Sequence, residues 1–147
     1  MAPETFERIL VAETDFGVRK QLHRLLLDGN LFSDCVDNAR AAMALLEEKR
    51  YAVMVLELAL AHGGSDQSGS EQLLEYVQLM PREDRPVVLA LAEAGSTRSL
   101  DVEVVQIVLR KPYKLTHLAD LIQSCVKTAA MHRAASRPGR HEPIRNA

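Results

Sequence analysis

Tyr51-Ala-Val-Met-Val-Leu-Glu-Leu58 is the stretch that most restricts what this chain can fold into. It is apolar without polar alternation, so both faces of a strand made from it need cover. A parallel sheet with helices on each side gives that cover; a one-sided antiparallel sheet does not. The run carries a single acid, Glu57, near its end. Ligands and chemistry gather at the carboxyl ends of parallel strands, so this acid is either a working group or what remains of one.

The rest of the chain supplies the helices. Arg8-Ile-Leu-Val-Ala12 reads as a first strand running into Glu13-Thr14-Asp15, where Asp15 can cap a helix whose apolar positions are Val18, Leu22, Leu25 and Leu26. Gly29-Asn30 ends that helix, because both residues tolerate the left-handed conformation. A second strand spans about Leu31 to Val36, Asp37-Asn38 caps a helix to about Glu48, and Tyr51 to Glu57 is the third strand. Ser68 with Glu71 suits a capping box for a helix to Met80, and Pro86-Val-Val-Leu-Ala-Leu-Ala92 is a fourth strand. Ser99 to Val104 is expected as a short, irregular fourth helix, Gln106 to Leu109 as the fifth strand, and Leu115 to about Thr128 as the last helix. Strands alternating with helices over short connections make a doubly wound parallel sheet.

At 147 residues, 47% hydrophobic, the chain has enough material for one domain and a tail. The expected division is a domain over 7–130 and a basic, disordered tail over 131–147. Arg133, Arg137, Arg140 and Arg145 against Glu142 give the tail a net +3; the whole chain is at −2, so the body stands at −5. That balance offers no reason for specific nucleic-acid binding, and the tail has no interleaved aromatics for base stacking. The Gly/Ser loop Ala61 to Ser70 lacks the spacing of a phosphate cradle. Cys35 and Cys125 have no partner spacing and are expected as buried thiols; His23, His62, His117, His132 and His141 form no ligand pair. No metal site is expected. The N-terminus lacks the order of a signal peptide, and no apolar run approaches the roughly 18 residues of a membrane span. The expected place is a reducing cytoplasm, without membrane contact.

Ile9-Leu-Val-Ala-Glu-Thr-Asp15, Tyr51 to Leu58, Pro86 to Ala92 and Lys111-Pro112-Tyr113, in this order and spacing, resemble the receiver domain of bacterial response regulators over about Glu7 to Thr128. The resemblance implies a flavodoxin-like α/β fold with five helices around a five-stranded parallel sheet in the order 2-1-3-4-5. It also implies two-component or phosphorelay signalling. In that family an aspartate at the end of strand three accepts a phosphoryl group, an acid pair after strand one holds magnesium, a Ser or Thr ending strand four binds the phosphoryl oxygen, and a lysine offsets its charge.

Carried onto this chain, most of those parts change. The phosphoacceptor position is Glu57, one methylene longer than aspartate. The acid pair falls on Glu13 and Thr14, so a neutral hydroxyl stands where a hard cation wants a carboxylate, and Asp15 is expected as a helix cap rather than a ligand. The switch position is Leu91, which has no hydrogen-bonding group. Lys111 is retained, with Pro112 after it, in the place where the family commonly has a cis peptide bond. The resemblance therefore implies a degenerate, non-catalytic pseudo-receiver without a cofactor, in which Lys111 is ion-paired to Glu57 and Glu13. The alternative is a phosphoacceptor using these acids with magnesium. The pseudo-receiver works by binding a protein partner or a second copy of itself, and family analogy places that surface at roughly Ser99 to Thr128. Leu100, Val104, Tyr113 and Leu118 are its candidate residues.

Overall fold

The computed structural model describes residues 7–60, 68–96 and 99–136, the last five of these without their side chains. Most of the Gly/Ser loop, with His62, and the basic segment beyond Ser136 lie outside the described residues.

β1 (Arg8–Ala12), α1 (Phe16–Asp28), β2 (Phe32–Val36), α2 (Ala39–Glu48), β3 (Val53–Glu57), α3 (Gly69–Leu79), β4 (Val87–Ala92), β5 (Ile107–Arg110) and α4 (Leu115–Ser136) follow one another, with a 3-10 turn at Arg82–Asp84. All strand pairs are parallel and the sheet order is β2-β1-β3-β4-β5. Side chains alternate between the two faces of a strand, and this parity divides the core. Leu10, Met54, Leu56, Val88 and Ala90 pack in one cluster with Ala42 and Leu46 of α2 and Leu73 and Val77 of α3. Ile9, Val11, Val53, Val55, Leu89 and Leu91 pack in the other, with Leu22 and Leu26 of α1 and Leu118 and Ile122 of α4. The missing alternation in the Tyr51 run is thus accounted for: both of its faces are covered, and all of β3 is buried.

Local signals decide where the helices start. Asp15 Oδ1 accepts from Val18 N at 3.0 Å, Asn38 Oδ1 from Ala41 N at 2.8 Å, and Ser68 Oγ from Glu71 N at 3.4 Å. Each such cap contributes about 1 kcal/mol by satisfying an otherwise orphaned N–H. At the end of α1 it is Asn30, with φ 67°, that takes the left-handed conformation. Gly29 lies against Gln123 of α4, whose Nε2 donates to Gly29 O at 3.0 Å; a Cβ there would make the Gln123 amide swing aside and give up that bond.

Two segments depart from the sequence reading. Ser99 to Val104 is not a helix, so four helices rather than five stand among the described residues. Asp101 O accepts from both Val104 N and Val105 N, at 3.0 and 2.9 Å, and Asp101 Oδ1 accepts from Glu103 N. This closes one turn and no more, because Val104 and Val105 are drawn into the core and lead straight to β5. The last helix runs to Ser136, eight residues past the expected end at Thr128. The alanines at 129, 130, 134 and 135 favour helix, and nothing in the sequence breaks it before Pro138. No described helix is long and apolar enough to cross a membrane.

Candidate functional site

The registers bring the candidate residues to one end of the sheet. Ala12 pairs with Leu56, so Glu13 follows β1 beside Glu57, the last residue of β3. Glu57 pairs with Leu91 of β4, and Ala92 with Arg110 of β5, which sets Glu93 opposite Lys111. Lys111 N donates to Ala92 O at 2.9 Å and continues that ladder past the strand. The Lys111-Pro112 peptide is cis, as the resemblance implies.

Glu57 is 2% exposed. Its Oε1 stands 2.8 Å from Lys111 Nζ, a contact close in distance but poorly directed as a hydrogen bond, while Oε2 accepts from Ala59 N at 3.1 Å. The side chain therefore folds back over its own turn. Lys111 Nζ also donates to Glu93 Oε2 at 2.9 Å. Burial alone would lower the affinity of this amine for its proton, but the carboxylates of Glu57 and Glu93 hold it above the ordinary lysine range. The lysine stays charged at any ordinary pH.

Lys111 thus has two acidic partners, as expected, but the second is Glu93 rather than Glu13. Glu13 makes no direct ion pair with it among the described residues; its Oε2 instead accepts from Asp15 N at 3.0 Å. Burial pushes the Glu13 carboxyl up; the Asp15 N–H and Lys111 oppose the rise, and Glu57 and Asp15 add to it. Glu93 was legible in principle, since an acid just past β4 and a lysine just past β5 fall opposite each other once those strands are set in parallel register.

Thr14 and Asp15 are exposed. Arg19 donates through Nη1 to Glu13 O at 2.7 Å and Thr14 O at 2.9 Å, tying the β1–α1 turn to the helix it begins. Tyr113 is half-buried on the α1/α4 side of the core, and its hydroxyl is pushed up to about 12 by burial, with Glu13 adding to the shift. It belongs to the rim of this site. Ser70, which sequence reading passed over, is fully buried and donates to Leu58 O at 2.8 Å, fixing the start of α3 to the turn after β3.

Much of this donor set is already engaged within the protein. Both Glu57 oxygens face donors within the protein, one oxygen of Glu13 holds Asp15 N, and Asp15 Oδ1 caps α1. No group of three His, Cys, Asp or Glu side chains is placed to hold a metal among the described residues. Octahedral magnesium wants free carboxylate oxygens and room for its waters; Glu57, nearly dry and with both oxygens turned to internal donors, offers neither.

The candidate partner residues divide. Val104 at 4% and Leu118 at 0% exposure are core residues and have no free surface to offer. Leu100 and Tyr113 are half-buried. The exposed apolar side chains of that region are Val102 and Val108. A cavity of about 210 Å³ lies between Leu58, Leu100, Val102, Val105, Val108 and Arg110. Sequence periodicity could not separate Val102 from Val104, because the segment forms a turn rather than a helix.

No protein-family model and no curated protein matches the sequence. Solved structures do match in fold. A signal receiver domain from Vibrio parahaemolyticus is 20% identical, with a TM-score of 0.75, covering 90% of this chain and 99% of its own. A CheY-like response regulator receiver domain from Methylobacillus flagellatus is 21% identical, with a TM-score of 0.64, covering 82% of this chain and 99% of its own. NtrX from Brucella abortus, 19% identical with a TM-score of 0.73, is matched over 90% of this chain but only 29% of NtrX. The fold is that of response regulator receiver domains.

Proposed function

We propose that this chain is a pseudo-receiver: a signalling module with the receiver fold that acts by binding a protein partner and carries no phosphoryl group at Glu57. One arrangement supports the reading above the others. Glu57, at the phosphoacceptor position, is buried beside the fully buried, aliphatic Leu91, with its two oxygens turned to Lys111 and Ala59 N.

In-line phosphoryl transfer needs an accessible carboxylate oxygen, donors for the equatorial oxygens and compensation of their charge. Here the oxygen is engaged, the neighbouring strand gives a hydrocarbon in place of a hydroxyl, and the acids near it do not form a metal cage. Lys111 alone remains of the charge-compensating parts, and it is neutralised by Glu57 and Glu93. Glu57 and Glu93 with the one lysine serve to hold the ends of β3, β4 and β5 in one conformation, and the module works without catalysis in a bacterial, cytoplasmic setting.

The partner surface on this reading is the outer side of the 99–104 turn, β5 and the start of α4, centred on Leu100, Val102, Val108 and Tyr113. It serves a protein partner or a second copy of the chain. Incubation with acetyl phosphate and magnesium followed by intact-mass measurement tests the absence of phosphoryl transfer. The expected result is an unmodified chain. A phosphoryl adduct that disappears in Glu57→Gln would establish the phosphoacceptor alternative.

A further inference from the structure

At the opposite edge of the sheet from β5, a groove of about 450 Å³ runs along β2. Phe16, Arg19, Lys20 and His23 of α1 wall one side, Leu45 of α2 the other, and Ser33, Asp34 and Cys35 of β2 form the floor. The α1 residues recur at spacings of three and four, so they make one stripe facing the groove. Phe16 is 67% exposed, with the Arg19 guanidinium 5.6 Å from its ring centroid.

Two observations bear on what would occupy it. The first is charge. Asp34, the acid of the groove, is already balanced by Arg8 at 3.4 Å, Lys49 at 3.5 Å and the Tyr51 hydroxyl at 2.6 Å. Arg19 spends its hydrogen bonds on backbone carbonyls, and neither it nor Lys20 has a carboxylate in ion-pair contact among the described residues. The groove therefore carries uncompensated positive charge on a body whose net charge is negative.

The second is the backbone. Val36 O accepts from Glu13 N on the β1 side. In a strand the N–H and C=O of one residue point the same way and those of its neighbour the opposite way, so the N–H and C=O of Ser33 and Cys35 point outward, into the groove. Their side chains lie on the α1 face of the sheet, that of Asp34 on the α2 face.

The geometry points to a docking site for an extended acidic segment of a partner protein, which adds as a strand to the free edge of β2. Its main chain pairs with Ser33 and Cys35. Its acidic side chains, at alternate positions, meet Arg19, Lys20 and His23, while the intervening apolar ones turn toward Leu45. Main-chain pairing gives the affinity and the alternation gives the specificity. This surface is separate from the β5 side and does not depend on whether Glu57 takes a phosphoryl group.

An alternating Glu-Val peptide long enough to span β2 is the probe, titrated into ¹⁵N-labelled full-length chain at up to ~1 mM in low salt. The expected result is shifts at Phe16 to His23 and Phe32 to Val36, with slowed amide exchange at Ser33 and Cys35. Lys20→Glu, an exposed change that leaves the fold intact, should weaken binding by about fivefold. Equal binding of a Lys-Val peptide, shifts without protection of Ser33 and Cys35, or no shifts at all would overturn the inference. So would binding of single-stranded poly(dT) at the same residues with greater affinity, which would assign the groove to nucleic acid. Protection of the same amides without peptide, rising with protein concentration, would assign the edge to a second copy and overturn it as well.

Discussion

Two charged networks sit on the same sheet and are built in opposite senses. Toward the amino-terminal half, one anion, Asp34, is shared by two cations, Arg8 and Lys49, and a phenol, Tyr51. At the carboxyl end, one cation, Lys111, is shared by two anions, Glu57 and Glu93. Asp34 keeps a quarter of its side chain in water, whereas Glu57 keeps almost none. A partly solvated network of this kind costs little to assemble. A nearly dry carboxylate against hydrocarbon is tolerated only while its counter-ion stays in place. The first network is ordinary edge-strand chemistry; the second is a nearly dry charge secured with a clamp.

The largest expected break in this comparison is Lys111→Met, which strands Glu57 without its partner. Urea unfolding at pH 7 should show a loss of about 2–3 kcal/mol, less than for a fully buried pair because water reaches Lys111. The double variant Glu57→Gln/Lys111→Met should recover most of it. If the double variant is as unstable as the single one, the clamp is not what keeps Glu57 in place. Next in size is Tyr51→Phe, which takes one hydrogen bond from Asp34 but leaves both cations, with an expected loss of about 1–2 kcal/mol. Glu93→Gln should fall within about 0.5 kcal/mol of the parent, since that carboxylate is exposed and Glu57 still holds the lysine.

The smallest effect distinguishes by sign Asp34, the anion of the first network, from Glu13, the acid beside the second. The Asp34 carboxyl, although burial raises it, is held below its ordinary value of 3.8 by Tyr51, Lys49 and Arg8. The folded chain therefore binds a proton there less readily than the unfolded one. The stability this contributes is complete above 3.8 and is lost as pH falls through the lowered value. Glu13 is raised above its ordinary 4.5, chiefly by burial, so its contribution runs the other way and stability declines as pH rises from 4.5 through the raised value. Thermal unfolding of Glu13→Gln should give a higher Tm than the parent at pH 7, with the gap closing near pH 4. A gap that widens toward acid would contradict this.

Much of the sheet was legible because burial on both faces leaves a plain mark. β1 has the limits read from the sequence, β2, β3 and β4 start one or two residues later than read, and β5 is shifted by one residue at both ends. The caps at Asp15, Asn38 and Ser68 were legible for the same kind of local reason. The pairing of Lys111 with Glu57 also followed from strand order, since Glu57 ends β3 and Lys111 follows β5 at the same end of one parallel sheet, with only β4 between them. What failed depended on tertiary context. Ser99 to Val104 has weak helical spacing, but Val104 and Val105 are claimed by the core, and so Val104 left the surface on which family analogy had put it. Leu118 was misplaced by the same analogy, because a helix contributes to a face only through the side that is not packed. Glu93 was missed since an exposed acid beyond a strand carries no signal until its register partner is known.

The central claim is that Glu57 is a clamped charge and not a phosphoacceptor. Amide NMR of the full chain, titrated with beryllium fluoride and magnesium, tests it most directly. The account predicts that the resonances of Glu57, Leu91, Glu93 and Lys111 stay where they are through the titration. Saturable shifts at those four residues, lost in Glu57→Gln, would contradict it.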